Sequence, residues 1–156
     1  DPQEEYGDRG RHQAANEAIR RLIDAREMAA VPIDTRLDEN RTGLRSPAEV
    51  ESLIDRMDLV ITTRLHGTVL ALKNGVPALA LDPIAGGAKI ARQAQKIGWP
   101  VCLRPEALTD AALHEAFDFC LSQEARRQAA LCREQAIAEV ENVRREFVEL
   151  FTLNAS

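Results

Sequence analysis

The stretch that decides the fold runs from residue 58 to residue 78 and reads DLVITTRLHGTVLALKNGVPA. It opens with the short β-branched apolar run 59–61, which predicts a buried strand. Apolar residues then recur at helical spacing over 65–72, and an Asn-Gly pair at 74–75 ends that helix. The junction between strand and helix therefore falls at 63–66, where the sequence places an arginine and a histidine.

This first junction suits an anionic ligand, because a cationic side chain adds to the positive helix end and its unpaired amides. Ligands of open parallel sheets also bind beyond the carboxyl ends of the strands. Thr63, Arg64 and His66 are therefore candidate site residues, and an imidazole can shuttle a proton near neutral pH. Two structural alternatives remain open: Arg64 in an ion pair with a loop carboxylate, and His66 as a core or capping histidine bonded to backbone.

Strands and helices alternate along the rest of the chain. This alternation predicts a parallel, doubly wound, Rossmann-like α/β sheet with helices on both faces, because a crossover between parallel strands needs a helix. A clear helix start is Ser46-Pro47, with Glu49 three residues after the cap. The predicted helices are 12–26, 47–57, 65–73, 89–97, 109–121 and 123–152, the predicted strands are 29–33, 59–61, 76–81 and 99–103, and 34–45 is predicted to be loop.

A second strand-to-helix junction, 82–89, should lie on the same edge of the sheet as the first. Gly86-Gly87 permits backbone conformations that expose amides, and Lys89 stands at the start of the next helix as a point charge. These residues would hold a phosphate near the first junction. The alternative is that the glycines only allow a tight turn and that Lys89 is a solvated surface lysine.

The composition argues against several classes of protein. The net charge is -5, from 20 basic and 25 acidic residues, and only six side chains are aromatic, so a nucleic-acid surface is not expected. We expect neither a membrane span nor a signal peptide, and no metal, because no metal-ligand spacing occurs. The three cysteines, Cys102, Cys120 and Cys132, predict small core residues of a protein in a reducing, cytoplasmic compartment.

Residues 58–67 and 71–82 together resemble the polysaccharide pyruvyl transferase family. The resemblance rests on an Arg-Leu-His core that follows Asp-Leu-Val-Ile and precedes Gly-Val-Pro, and it is sharpest over 46–98. It implies the C-terminal half of a two-domain, GT-B-like architecture, in which the motif faces a cleft that holds phosphoenolpyruvate and a sugar acceptor. The whole chain, 1–156, would then be one donor-binding domain whose N-terminal partner domain is missing.

The resemblance also implies roles for the site residues. Arg64 would bind the phosphate or carboxylate of phosphoenolpyruvate, and His66 would protonate its methylene carbon. Two hydroxyls of a cell-surface polysaccharide would then capture the pyruvyl group as a cyclic ketal, with loss of phosphate. Lys89 would supply a second anion contact. Phosphoenolpyruvate is a substrate in this scheme, and no cofactor is expected.

Two other functions remain open at this point. One is a glycosyltransferase of the same fold that binds a nucleotide sugar in the same crevice, and the other is a non-catalytic binding or assembly module. The long last helix, 123–152, carries an apolar stripe from Ile137 to Phe151 that would either pack across the missing half or form a homodimer. The chain alone is not expected to turn over.

Overall fold

The computed structural model describes residues 7–33 and 42–153. Its helices are α1 (His12–Ala25), α2 (Pro47–Ile54), α3 (Leu65–Lys73), α4 (Lys89–Lys96), α5 (Asp110–Cys120) and α6 (Gln123–Leu153), and its strands are β1 (Val60–Thr62), β2 (Ala78–Leu81) and β3 (Cys102–Leu103). Short 3-10 turns occur at Gly7–Arg9 and Pro105–Ala107.

The sheet formed by the described residues has three parallel strands in the order β1-β2-β3. Val60 lies opposite Ala78, and Ala80 lies opposite Cys102. All four residues of β2 are buried, and because successive side chains point to opposite faces, both faces of the sheet are covered at this strand. Helices α3 and α5 both contact β2. The predicted parallel α/β sheet and the predicted long C-terminal helix are therefore confirmed.

Two helices begin where the sequence predicts, because a hydroxyl side chain caps each of them. Ser46 Oγ accepts a hydrogen bond from the Glu49 amide at 3.3 Å, and a Glu49 carboxylate oxygen accepts from the Ser46 amide at 3.2 Å. Pro47 occupies the first turn of α2, where the missing amide hydrogen has no cost. Thr109 caps α5 in the same way, accepting from the Ala112 amide at 3.1 Å.

Other predicted elements differ from the observed ones. The segment 29–33 is not a strand, and within the described residues the strands number three rather than about four. Pro32 has no amide hydrogen to give to a ladder, and the segment instead lines a groove beside β1. Helix α2 ends at Ile54 rather than near residue 57. Of the predicted loop 34–45, the part 42–45 is irregular as expected, whereas 34–41 lie outside the described residues.

The core is built around the central strand. Trp99 is buried, and its indole N–H donates to the carbonyl oxygen of Ala78 at 2.8 Å, which ties the segment before β3 to β2. Cys120 and Cys132 are buried free thiols, as predicted for small core residues, and Cys102 is half-buried. Burial raises the pKa of the Cys120 thiol to about 12. Such a thiol is inert at neutral pH.

Helix α6 changes character along its length. Its first turns pack against α3 and α5, with Ala125, Ala129 and Cys132 buried. Beyond them, the apolar side chains of Ile137 and Val140 are 54% and 65% exposed. Up to Leu150 the predicted apolar stripe is therefore a surface feature, while dimerisation through it stays a prediction. None of the described helices combines the length and the apolar character needed to cross a bilayer.

Candidate functional site

The first junction carries both predicted site residues on the surface. β1 ends at Thr62 and α3 begins at Leu65, so Arg64 is the N-cap residue of α3, with an extended backbone. His66 is the second residue of the helix. The side chains of Arg64 and His66 are both exposed, and neither is turned into the core. This placement is the one that binding of a solvent-borne anion requires.

Two threonine hydroxyls fix the backbone of Arg64. The Arg64 amide donates to Thr62 Oγ1 at 3.0 Å, and Thr68 Oγ1 donates to the Arg64 carbonyl oxygen at 3.2 Å. The Thr68 amide reaches the same carbonyl at 3.2 Å, which is the first intrahelical bond of α3. Thr68 is fully buried. Because these bonds act on the main chain of Arg64, they position its side chain without using the guanidinium.

Gly67 lets the strand end and the helix start approach each other. A Cβ atom added at Gly67 would lie 2.4 Å from Thr62 Oγ1 and 3.0 Å from Thr62 Cβ. The first of these distances is far inside any normal contact, so a larger residue would push away the hydroxyl that holds Arg64. Sequence reasoning missed this role, although a glycine in the first turn of a helix signals that another group lies close to it.

A groove of about 1180 Å³ lies beside β1. Thr63, Arg64 and Gly67 line it at the junction, and apolar side chains of α1, α2 and the segment 28–33 line it farther along. His66 is not among the lining residues. The structure therefore brings Thr63 and Arg64 together at the groove and places His66 next to them on the helix, outside the groove.

The first junction offers a cation, an imidazole and the amides that every helix leaves without intrahelical acceptors. These groups bind anions and move protons. Metal chemistry finds no such support: within the described ranges no three His, Cys, Asp or Glu side chains stand together as a metal-ligand group.

The second junction is organised by Asp82, whose importance sequence reasoning also missed. Asp82 follows β2 directly and is 2% exposed. Its carboxylate accepts hydrogen bonds from the amides of Ile84 at 3.2 Å, Ala88 at 2.7 Å and Ala91 at 3.0 Å. A buried acidic residue directly after a strand is the signal that could have revealed it, because a buried carboxylate must collect donors.

The two glycines of the second junction have the predicted unusual backbone, with φ of +80° at Gly86 and +77° at Gly87. Their amides are engaged by protein acceptors: the Gly86 amide donates to Glu106 Oε1 at 2.8 Å, and the Gly87 amide donates to the Ile84 carbonyl oxygen at 2.8 Å. Lys89 is exposed at the first position of α4. In this glycine loop, Gly86-Gly87, one amide therefore already binds a negatively charged group, the side-chain carboxylate of Glu106.

The two junctions line different cavities. Thr63 and Arg64 line the groove beside β1, whereas Asp82 lines a smaller cavity under α1. Neither lining includes Gly86, Gly87 or Lys89. The two junctions therefore do not share one cavity, and their convergence on one small ligand stays a prediction.

Comparison with known proteins connects the first junction to a family. A search of curated proteins returned no match. The family model of polysaccharide pyruvyl transferase matches residues 7–83, about half of the chain. The matched range runs from the turn before α1 to just past β2 and includes Arg64 and His66, whereas Gly86, Gly87 and Lys89 follow it. On this match, the chain belongs to the polysaccharide pyruvyl transferase family.

Proposed function

We propose that this chain is the donor domain of a transferase that takes phosphoenolpyruvate and places its pyruvyl group, as a ketal, on hydroxyls of a cell-surface polysaccharide. The observation that carries the proposal is the exposed pair Arg64 and His66 at a strand-to-helix junction, inside the residues that match the family. Phosphoenolpyruvate carries a phosphate and a carboxylate, which are the two groups that a guanidinium recognises best.

Arg64 is the proposed anion contact. Its guanidinium presents a planar fork of donors to a phosphate or carboxylate, and the nearby end of α3 adds its dipole to the same charge. Thr62 and Thr68 hold the Arg64 main chain, so less freedom is lost when the ligand binds. Lys89 is a second candidate contact, because it is exposed at the start of α4.

His66 is the proposed general acid. A protonated imidazole gives its proton to the methylene carbon of phosphoenolpyruvate, and the cation that develops at the adjacent carbon is attacked by one sugar hydroxyl. The proton of that hydroxyl returns to the imidazole. The C–O bond to phosphate then breaks, a second hydroxyl closes the cyclic ketal, and its proton leaves with the phosphate. A dianion beside an imidazole favours the protonated form that this sequence of steps needs.

The acceptor sugar requires a surface of its own. We propose that it is bound by a second domain outside this chain, so binding is measured on the chain and transfer is measured on the parent protein.

Binding is tested by calorimetric titration of the chain with phosphoenolpyruvate. We expect Arg64→Ala to weaken binding by roughly tenfold or more, the usual effect of losing a charge-assisted hydrogen bond. The matched control is Arg145→Ala, an exposed arginine on α6 whose guanidinium donates to Asn142 in the same helix. Equal affinity of the wild type and Arg64→Ala would remove Arg64 from the site. Binding of UDP- or GDP-sugars, without binding of phosphoenolpyruvate, would favour the glycosyltransferase alternative.

Transfer is tested with His66→Ala in the parent protein. We expect phosphoenolpyruvate binding to persist and ketal formation to fall by about a hundredfold or more, the contribution of a general acid. Turnover at the wild-type rate would exclude His66 from the mechanism.

A further inference from the structure

A second cavity, of about 240 Å³, opens between α1 and the carboxyl ends of β2 and β3. Arg11 and Arg104 both line it, and Arg64 and His66 do not. The chain before α1 is held at this edge, because the Arg11 amide donates to the Pro83 carbonyl oxygen at 2.7 Å. The Ala85 amide donates in turn to the Arg9 carbonyl oxygen at 2.9 Å, so Arg11 has a fixed position beside the glycine loop.

Arg104 is the first residue after β3, and Arg64 is the second residue after β1. Its side chain lies against the glycine loop, since a Cβ atom added at Gly87 would be 3.2 Å from Arg104 Nε and 3.3 Å from Arg104 Cδ. The loop therefore needs glycine at 87 both for its positive φ and for the space that Arg104 fills. The side chain of Arg104 is therefore packed against Gly87, one residue from the Gly86 amide.

The carboxylate of Glu106 lies among these groups. Its Oε1 accepts from the Gly86 amide at 2.8 Å. Hydrogen bonds from its own amide and from the Gly86 amide lower the pKa of Glu106, and the charges of Arg104 and Arg11 lower it further. The Gly86 amide thus contacts this negative charge directly, and the two arginines act on it through their own charges. The Arg11 guanidinium also donates to the carbonyl oxygens of Asp8 and Gly10, which holds it beside α1. The side chain that carries this charge is exposed, so it can leave for water.

We propose that Arg11, Arg104 and the Gly86 amide form an anion subsite, separate from the Arg64 junction, which Glu106 fills as an internal anion until a phosphate group displaces it. The favoured ligand is a phosphate dianion rather than a carboxylate. A ligand must outcompete a tethered carboxylate, and a dianion with three acceptor oxygens gains more from two guanidinium groups than a second carboxylate does.

The other charges at this cavity are compatible with that ligand. Arg21 lines the cavity, but its charge is matched by Asp110, 2.8 Å away. The buried carboxylate of Asp82 is saturated by three backbone amides. Glu17, which also lines the cavity, remains as a negative group.

The test follows the Gly86 amide directly. The chain has eight glycines, so labelling glycine with ¹⁵N gives a short set of amide signals that are assigned and followed during titration with inorganic phosphate. Sodium chloride at matched ionic strength is the control for screening. We expect a saturable shift of the Gly86 signal with phosphate and none with chloride. Absence of a saturable phosphate shift would overturn the proposal.

Three variants test the roles. Glu106→Gln keeps an acceptor for the Gly86 amide and removes the competing charge, so phosphate should bind roughly tenfold more tightly. Arg104→Gln and Arg11→Gln should each weaken phosphate binding by about the same factor. Unchanged affinity in Glu106→Gln and Arg11→Gln would overturn the proposal even if Arg104→Gln failed to fold. The control is Arg127→Gln, an exposed arginine on α6.

Two further arms separate this subsite from the donor site and identify the source of the phosphate. Arg64→Ala should leave the phosphate-induced shift of Gly86 unchanged, and loss of that shift would show that there is no separate subsite. Titration with phosphoenolpyruvate and with a sugar 1-phosphate then distinguishes a phosphate of the donor from a phosphate of the acceptor. If Arg64→Ala does not change the affinity for phosphoenolpyruvate while the Gly86 signal still responds to phosphate, the proposed function is refuted and the subsite proposal stands.

Discussion

Replacing Gly67 by alanine should destabilise the chain, although alanine is the better helix former. In the middle of a helix the exchange favours alanine by about 1 kcal/mol. Here the new Cβ would lie 2.4 Å from Thr62 Oγ1, and overpacking of this kind costs about 1–3 kcal/mol. Displacing Thr62 also removes its hydrogen bond from the Arg64 amide, worth about 1 kcal/mol. The net effect is a loss of roughly 1–3 kcal/mol.

The assay is urea unfolding followed by circular dichroism, with the double-mutant cycle of Gly67→Ala and Thr62→Ala. Thr62→Ala removes the atom that the new methyl group meets first, so the double variant should lose less stability than the sum of the two single variants. The coupling should be about 1 kcal/mol, a typical value for residues in contact. Additive losses, or a Gly67→Ala chain at least as stable as the wild type, would refute the reasoning from this close contact. A donor-binding titration should show the same order of effects, because Thr62 positions Arg64.

Three other outcomes are expected. Asp82→Asn should cost about 3 kcal/mol and speed hydrogen exchange at the Ala88 amide, because the charge is lost and an amide nitrogen replaces one of the two oxygens that serve three backbone donors. The exposed Asp118→Asn should not change exchange there. Ser46→Ala should lower the urea midpoint by an amount equivalent to about 1 kcal/mol through loss of the capping box, with Ser122→Ala as a comparison cap at α6. Cys120, with its pKa raised to about 12, should resist thiol reagents at pH 8 in the folded chain and react after unfolding. Because its folded pKa lies above the unfolded value, its contribution to stability should be complete below about pH 9 and decline as the pH rises toward 12.

The sequence could predict those parts of the fold that depend on local signals. Helices α2 and α5 begin where expected because Ser46 and Thr109 cap them through neighbouring amides, a signal contained within four residues. The prediction of a strand at 29–33 is wrong because the apolar residues there satisfy a strand pattern, whereas a strand also needs a hydrogen-bonded neighbour, which the pattern does not reveal. The predicted strand 99–103 is too long for the same reason, because only 102–103 pair with β2. Trp99 is connected to β2 by its side chain instead, through the hydrogen bond from its indole to the Ala78 carbonyl oxygen.

The candidate site shows the same division. Arg64 and His66 could be found because the strand-to-helix pattern fixes where their side chains emerge. Glu106 could not, since its contact with Gly86 joins residues 20 positions apart through a turn whose path no local pattern specifies. Arg104 was within reach, because the rule that selected Arg64 applies equally to the first residue after β3.

The order of the strands separates the two arginines in a way that bears on the ligand. Arg64 follows β1, Asp82 follows β2 and Arg104 follows β3, so two strand spacings, roughly 10 Å, lie between the exits of Arg64 and Arg104. Asp82, between them, is buried, and its carboxylate accepts hydrogen bonds from three backbone amides. If both proposed sites bind anions, this edge takes two anionic groups, one at each arginine, either on one ligand or on two.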